Sequence, residues 1–445
     1  MARSPEKMAA GMGFDAFSKA TDLQQRLLFT LGALIVYRLG SYIPVPGIDP
    51  AALAEIFSRN SSGILGMFDM FSGGSLGRMT IFALTIMPYI TSSIIMQLMT
   101  AIVPSLEALK KDGEAGRKQI NQYTRYLTVL LAVVQGYGIS VGLESANGVV
   151  IDPGMFFRLT TVITLLGGTM FLVWLGEQIT ARGVGNGISL IIFSGIVANL
   201  PLALAGTFEL GSTGVLSPLL ILFFMVMAVG VIALIVFIER SQRRILIQYP
   251  KRQMGNKMFG GESSHLPLKI NVPGVIPPIF ASSLLLMPVS VINLTSGSDG
   301  GAEWLVQLNA MLGRGQPLYL AVYIGLITFF AFFYTAIVFN PEETSENLRR
   351  YGGYIPGIRP GQPTADYLDF VLTRLTVLGA LYLSAVCILP EILISQYSVP
   401  FYFGGTSLLI VVTVTLDTVT QIQSHMMAHQ YEGLVRKSKL RGKKR

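Results

Sequence analysis

Residues 63–99 read GILGMFDMFSGGSLGRMTIFALTIMPYITSSIIMQLM, and this stretch decides the class of fold. Its first apolar run, at 64–71, would form a helix only about 12 Å long, which is too short to cross a bilayer. The glycines at 73–74 predict a flexible joint. From Ile81 the chain stays apolar for about twenty residues, which is enough to span a membrane, and Pro88 is expected to bend that span. We interpret the short segment and the bent span as a stopper beside a pore.

The composition is that of a polytopic membrane protein. Of 445 residues, 51% are hydrophobic and 13% are charged, whereas soluble domains carry roughly 25% charged residues. The 47 glycines suit helices that approach one another closely within a membrane. The single cysteine, Cys387, excludes a disulfide framework within the chain and is expected to be a small buried packing residue.

Ten apolar stretches are long enough to be membrane spans. They lie near residues 25–43, 79–101, 124–143, 159–179, 187–206, 217–238, 274–294, 318–340, 372–391 and 402–422. The sequence therefore predicts an all-α polytopic membrane protein of ten transmembrane helices. The predicted divisions are a leader at 1–24, a first half at 25–206, a second half at 207–424 with large loops at 239–273 and 341–371, and a basic tail at 425–445.

The leader contains apolar residues spaced among charged ones. Phe14, Phe17 and Leu23 alternate with Asp15, Lys19 and Asp22, which favours an amphipathic helix on the membrane surface. A merely solvated leader is the alternative.

Lysine and arginine are distributed very unevenly about these spans. Alternate loops, the adjoining span ends and the two termini hold all 33 of them except Arg38, Arg59, Arg78, Arg158 and Arg314. Because positive residues stay on the cytoplasmic side of a membrane, both termini are expected in the cytoplasm. An even number of spans agrees with that placement.

The ten spans divide into two sets of five, and an odd number per half predicts an inverted repeat. The second and fifth spans of each half are the ones that Gly or Pro interrupts, which indicates a site at the repeat interface. A coupled transporter normally places charged residues at such a site, yet these four spans contain one, Asp417. They offer isoleucines instead: Ile86, Ile90, Ile188, Ile192, Ile279 and Ile410.

Branched apolar side chains around a pore would exclude ions by dewetting. Isoleucines in membrane helices nevertheless face lipid or pack in most cases, so spacing alone does not make these six a pore lining. Two function classes therefore remain open from the residues, a passive gated channel and a secondary transporter of small solutes. An assembly scaffold is a third, but a scaffold would need no stopper.

The sequence contains no pattern typical of catalysis or of a cofactor. It has no HExxH, no Walker lysine and no intramembrane-protease arrangement,. His425 and His429 are four residues apart, but two ligands without a third do not predict a metal site. We expect neither an enzyme nor a cofactor, so that any driving force comes from a partner.

Runs of sequence along nearly the whole chain are specific to one family. They are YRLGSYIPVPGID (37–49), MFSGGSL (70–76), IMPYITSSIIMQL (86–98), GRKQINQYTRY (116–126), WLGEQITARGVGNGIS (174–189), ERSQRRI (239–245), HLPLKIN (265–271), FNPEETSENL (339–348), PGIRPG (356–361), TRLT (373–376) and PFYFGGTSLLIVV (400–412). In these runs the chain resembles SecY, the channel subunit of the bacterial protein-export translocon.

The resemblance implies a central hourglass pore surrounded by the second and fifth spans of each half. The six isoleucines named above match the positions of the family's pore ring. Residues 63–75 would be the plug, although an interfacial turn is the alternative. The apolar side chains of that plug are Ile64, Leu65, Met67, Phe68, Met70 and Phe71.

The resemblance also implies a lateral gate, where the second and third spans part from the seventh and eighth. Polar residues expected near that seam are Ser92, Ser93, Gln97, Ser282 and Ser283. Hydrogen bonds between membrane helices are worth only about 0.6 to 2 kcal/mol each, so these residues would form a weak and reversible latch.

The partners implied are the SecA motor and the ribosome on the cytoplasmic side, with SecE and SecG as small membrane subunits. Secretory and membrane-protein precursors would be the substrates, in the cytoplasmic (inner) membrane of a bacterium. The docking residues would be Arg243, Arg244, Lys251, Arg252, Arg359 and Tyr431. Positive residues stay inside even without a partner, so topology alone is the alternative explanation for the basic ones.

Overall fold

The computed structural model describes residues 21–60, 69, 72–145, 148–213, 217–249, 252–254, 257–259, 263–295, 316–397 and 405–442. The first helices are α1 (Thr21–Gly40), α2 (Pro50–Asn60), α3 (Met87–Ile102), α4 (Pro104–Lys111), α5 (Glu114–Ser145), α6 (Met155–Arg182), α7 (Gly187–Ser212) and α8 (Pro218–Arg240). Four short strands follow: β1 (Gln242–Gln248), β2 (Arg252–Met254), β3 (Lys257–Phe259) and β4 (Ser263–Lys269). The last helices are α9 (Ile276–Thr295), α10 (Pro317–Val338), α11 (Pro341–Arg350), α12 (Gln362–Tyr397) and α13 (Gly405–Gly442).

The predicted fold class, a helical polytopic membrane protein, is confirmed. Within the described ranges, seven helices are long and apolar enough to cross a membrane, and the pair α3 and α4, bent by 99°, is an eighth candidate. The two other predicted spans, the first and the seventh, overlap α1 and α9. The expected ten spans are thus consistent with the helices that the structure has.

The second predicted span is shorter than its apolar run. Helix α3 begins at Met87, so Pro88 is its second residue and does not bend it; proline is tolerated in a first helical turn, where its missing N–H has no intrahelical partner. Upstream, the backbone of 79–81 pairs with 43–45, since the N–H of Val45 lies 2.9 Å from the carbonyl oxygen of Met79. The expected bend at Pro88 was therefore wrong, because this pairing competes with the helix.

Two of the described helices begin after a residue whose side chain caps them. Ser217 precedes α8, and its hydroxyl oxygen accepts from the backbone N–H of Leu220 at 3.3 Å. Asn340 precedes α11, and its side-chain oxygen accepts from the N–H groups of Glu342 and Glu343. Such caps satisfy amide groups that a helix leaves without a partner in its first turn.

Glycines allow backbones to approach closely, as the composition predicts. A Cβ at Gly187 would lie 2.0 Å from the carbonyl oxygen of Gly176, and one at Gly405 would lie 2.0 Å from that of Val386. No side chain fits at such distances, so these contacts between successive helices require glycine.

The chain forms two compact units. The first comprises 1–93, 121–203 and 410–445, and the second comprises 94–120 and 204–409. These boundaries follow contacts between residues, whereas the predicted halves, 25–206 and 207–424, follow the order of spans. The inverted repeat of those halves stays a prediction.

Two smaller expectations concern the leader and the cysteine. Most of the leader, including Phe14 and Phe17, lies outside the described residues. Leu23 belongs to α1 and is buried with Val184 and Ile422 in a small cluster, so it packs within the protein. The prediction that Cys387 is buried is confirmed.

Candidate functional site

The six predicted pore isoleucines all lie at the beginnings of helices. Ile86 directly precedes α3, and Ile90 lies on its first turn. Ile188 and Ile192 lie on the first two turns of α7, Ile279 lies on the first turn of α9, and Ile410 lies on the second turn of α13. Ile86, Ile90 and Ile410 are buried, and the other three are half-buried. Hydropathy alone did not predict this common place at helix starts.

The turn before α7 fixes the position of Ile188. The side-chain oxygen of Asn186 accepts from the N–H of Ile188 at 3.1 Å and caps the helix,. The N–H of Gly185, whose φ is +89°, donates to the side chain of Gln421 on α13 at 2.9 Å. Within the first unit, this hydrogen bond joins the start of α7, which carries Ile188, to α13, which carries Ile410.

Ile279 belongs to the second unit and lies on the first turn of α9. Its carbonyl oxygen accepts from the hydroxyls of Ser282 and Ser283, at 2.9 and 2.8 Å. Pro277 and Pro278 occupy the preceding helical positions, where proline favours the start of a helix.

Three of the predicted gate residues, Ser92, Ser282 and Ser283, donate hydrogen bonds to carbonyls of their own helices. Ser92 donates to the carbonyl of Pro88 at 2.7 Å, and Ser282 and Ser283 donate to Ile279. Ser93 and Gln97 lie half-buried on α3. That these residues face a common seam stays a prediction.

The six apolar plug residues, from Ile64 to Phe71, lie outside the described residues, but the end of the plug segment is described. Asp69 organises it: Oδ1 accepts from the N–H of Gly77 at 2.6 Å, and the backbone oxygen accepts from the N–H of Gly74 at 2.8 Å. Burial raises the pKa of the Asp69 carboxyl, and its hydrogen bonds and the charge of Arg78 oppose part of that rise,.

Two arginines bind the same turn. Arg38 donates from Nη1 and Arg78 donates from Nη2 to the carbonyl oxygen of Gly73, at 3.0 and 3.2 Å. Gly73 and Gly74 have φ of +66° and +81°, a region that glycine adopts without strain,. Hydrogen bonds from Arg38 and Arg78 therefore hold the glycine joint in this conformation, and its flexibility stays a prediction. The sequence signal for this cluster was that Arg38 and Arg78 are two of the few arginines outside the predicted cytoplasmic loops and termini.

The large loop at 239–273 folds as a hairpin that joins the other large loop. Strand β1 pairs with β4 in an antiparallel register, with Arg243 opposite Leu268, and β2 pairs with β3. The N–H of Gln248 donates to the carbonyl of Tyr354 at 2.9 Å, and the reverse bond is 3.0 Å. An apolar cluster lies beneath: Ile245, Leu268, Ile355, Leu368, Val371, Leu372 and Leu375. Sequence analysis missed that the two loops form one structure.

The basic side chains of this structure whose burial is described are exposed. Arg243 and Arg244 lie exposed on β1. Arg359 is exposed in a turn between Gly357 (φ +84°) and Gly361 (φ +104°), and its carbonyl accepts from the Thr364 hydroxyl at 2.8 Å. Among the remaining docking residues, Lys251 lies outside the described residues, while Arg252 belongs to β2 and Tyr431 to α13.

Comparison with known proteins identifies the family. The SecY family model matches residues 80–419. The chain is 57% identical over 431 residues to protein translocase subunit SecY of Rickettsia conorii, an alignment that covers 96% of this chain and 99% of that protein.

The chain belongs to the SecY family. Solved structures share its fold: a protein conducting channel matches with a TM-score of 0.65 at 17% identity, covering 91% of this chain and 92% of that one. Sec61 in the canine ribosome-channel complex from the endoplasmic reticulum matches with a TM-score of 0.63 at 17% identity, with the same coverage. A SecY chain is the channel subunit of a protein translocase, so the small-solute transporter is not favoured.

Proposed function

We propose that this chain is a gated channel that moves unfolded secretory polypeptides across the cytoplasmic membrane of a bacterium and releases apolar segments sideways into the lipid. The observation that carries the proposal is the placement of Ile86, Ile90, Ile188, Ile192, Ile279 and Ile410 at helix starts. Their spans contain one charged residue, Asp417. A ring of stiff branched side chains would exclude water and ions yet offer no hydrogen bonds to a passing chain.

The plug and the lateral gate complete the proposed cycle. Residues 63–75 would close the pore in the resting state. The gate residues Ser92, Ser93, Gln97, Ser282 and Ser283 would form a weak latch. A nascent segment of about twenty apolar residues could open such a latch, since each central Leu or Ile favours insertion by about 0.3 to 0.6 kcal/mol.

The basic hairpin and the Arg359 turn would dock cytoplasmic partners. The structure that joins 239–273 to 341–371 supports a single docking surface, because exposed arginines are held by strands and turns over an apolar cluster. The Sec61 structure contains a ribosome, and arginines would bind ribosomal RNA phosphates in a salt-dependent way. SecA would bind the same surface with help from Tyr431, and SecE and SecG would flank the channel within the membrane.

This arrangement supplies no energy of its own. The chain contains no nucleotide-binding motif,, so the proposed channel is not an enzyme and is driven by SecA or by the translating ribosome. Both termini and the docking surface carry most of the lysines and arginines. Because positive residues stay on the cytoplasmic side of a membrane, we place the termini and the docking surface in the cytoplasm.

Site-specific photo-crosslinking tests the channel directly. A photoreactive residue replaces Ile192, and a secretory precursor is stalled midway by a folded domain at its C-terminal end. We expect crosslinks to the stalled chain that disappear when the precursor lacks its signal sequence. A photoreactive residue at Val229, 66% exposed on α8, is the matched control and should contact lipid alone. Absence of crosslinks at Ile192, Ile86 and Ile410 would show that the isoleucines are packing residues.

A further inference from the structure

Arg38 and Arg78 converge on one backbone carbonyl at the end of the plug segment. Both guanidinium groups donate to the oxygen of Gly73, at 3.0 and 3.2 Å. Both also lie against the ring of Tyr42, with Cζ 5.3 Å from the ring centroid for Arg38 and 4.2 Å for Arg78. Both guanidinium groups are within hydrogen-bond distance of one oxygen, so their like charges repel each other. The shared carbonyl and the negative ring face therefore act as the attractive partners that keep them together.

The glycine whose carbonyl they hold, Gly73, lies against α7, a helix of the proposed constriction. A Cβ at Gly73 would be 3.0 Å from the Cα of Gly195, and Gly195 lies on α7 three residues beyond Ile192. Residues three apart on a helix share a face. The chain therefore leaves the plug segment at a fixed point, about one helical turn from Ile192.

We propose that Arg38 and Arg78 are an anchor that holds the end of the plug segment against α7 and thereby sets the balance between the closed and the open channel. The proposal rests on the proposed plug function and adds positioning residues to it. Arg38 is half-buried and Arg78 is exposed, so Arg38 contributes more. A hydrogen bond from a charged donor that is lost in one state shifts a two-state balance by roughly ten- to a hundredfold.

Ion leak through the resting channel measures that balance. The full chain with its partner subunits is reconstituted in liposomes, and halide entry is followed without any precursor. We expect Arg38→Met, which keeps the apolar stem and removes every donor, to raise the leak about tenfold. Arg38→Gln keeps one donor and should leak less than Arg38→Met. Arg78→Met should raise the leak severalfold, and because Arg78 is exposed we expect this variant to disturb folding less than Arg38→Met.

The matched control is Arg158→Met. Arg158 is another arginine on the sparsely charged side, but it pairs with Glu144 at 2.6 Å, away from Gly73. Its loss should leave the leak unchanged. A leak equal to that of the unmodified protein in both Arg38→Met and Arg78→Met would overturn the anchor.

Deletion of residues 64–68 separates the two proposals. If the deletion raises the leak while the arginine variants do not, the plug stands and the anchor is wrong. If the deletion leaves the leak unchanged, the plug itself is wrong, and the anchor falls with it. Translocation of a precursor without a signal sequence should increase in the same order as the leak.

Discussion

Asp69 keeps an ionisable carboxyl in a partly buried turn beside the proposed anchor. The carboxyl accepts from the N–H of Gly77 and the hydroxyl of Ser72, so the turn needs its oxygen. Burial raises the pKa of this carboxyl above its ordinary value and outweighs the hydrogen bonds and the charge of Arg78, which favour the ionised form,. A carboxyl with a raised pKa in the folded state stabilises that state below the unfolded pKa, and this contribution is lost as pH rises through the folded pKa.

We therefore expect Asp69→Asn to stabilise the protein at neutral pH. The amide oxygen can still accept from Gly77, while the cost of an ionised buried group disappears. That cost is about 1.4 kcal/mol for each tenfold change in proton affinity between the folded and unfolded states. Thermal unfolding of the two proteins from about pH 4 to about pH 8 checks this, and the stability difference should grow as pH rises. A difference independent of pH would show that the carboxyl is not perturbed.

At the scale of elements, the docking surface depends on pairing between distant strands and turns. Gln248 and Tyr354 pair across 106 positions of sequence, and the apolar cluster beneath includes Ile355. Arg359 thus projects from a turn whose neighbours are fixed by Gly357, Gly361 and Thr364. Such fixed positioning is expected to matter more to a docking partner than the total charge of the loop.

Replacing Arg359 should weaken partner binding in a way that depends on position. We expect Arg359→Ala to lower ribosome affinity about tenfold and to reduce the slope of affinity against salt concentration by about one. Arg350→Ala removes the same charge from the same loop, but Arg350 is paired with Glu346 at 2.7 Å. That control should bind almost as well as the unmodified protein. Equal losses in both variants would show that the total charge of the loop, and not the position of Arg359, decides binding. No loss in either variant would leave topology as the reason for these residues.

The sequence predicted elements well where local hydropathy decides them. Each of the ten apolar runs overlaps a helix, because a membrane span is a property of one continuous stretch. It failed at 79–86, where the backbone of 79–81 pairs with 43–45 and turns follow as far as residue 86. It also missed the bonds of Arg38 to Gly73 and of Gln248 to Tyr354, since hydrogen bonds between distant residues leave no periodic signal. The isoleucines were found by spacing, but their pore role came from resemblance and stays a prediction.

At the scale of the whole molecule, charge rather than shape sets the direction of insertion. The net charge is +8, and nearly all lysines and arginines belong to the termini, to alternate loops and to the span ends beside them. Moving one positive charge out of the cytoplasm against the membrane potential costs about 2.3 kcal/mol per 100 mV. The positive loops are therefore retained on the cytoplasmic side, and this retention fixes the orientation of every span between them.

Cysteine labelling tests that orientation over the whole chain. Cys387 is buried and is first replaced by Ala, so that each variant carries one cysteine. Tyr351→Cys, at a site 74% exposed in the loop 341–371, should react with a membrane-impermeant maleimide only after cells are opened. Asp152→Cys, at an exposed site beyond α5, should react in intact cells. Because the predicted spans alternate in direction, one missed or extra span between 152 and 351 would make both sites label alike. Labelling of Tyr351→Cys alone in intact cells would instead reverse the whole orientation and move the docking surface away from the ribosome.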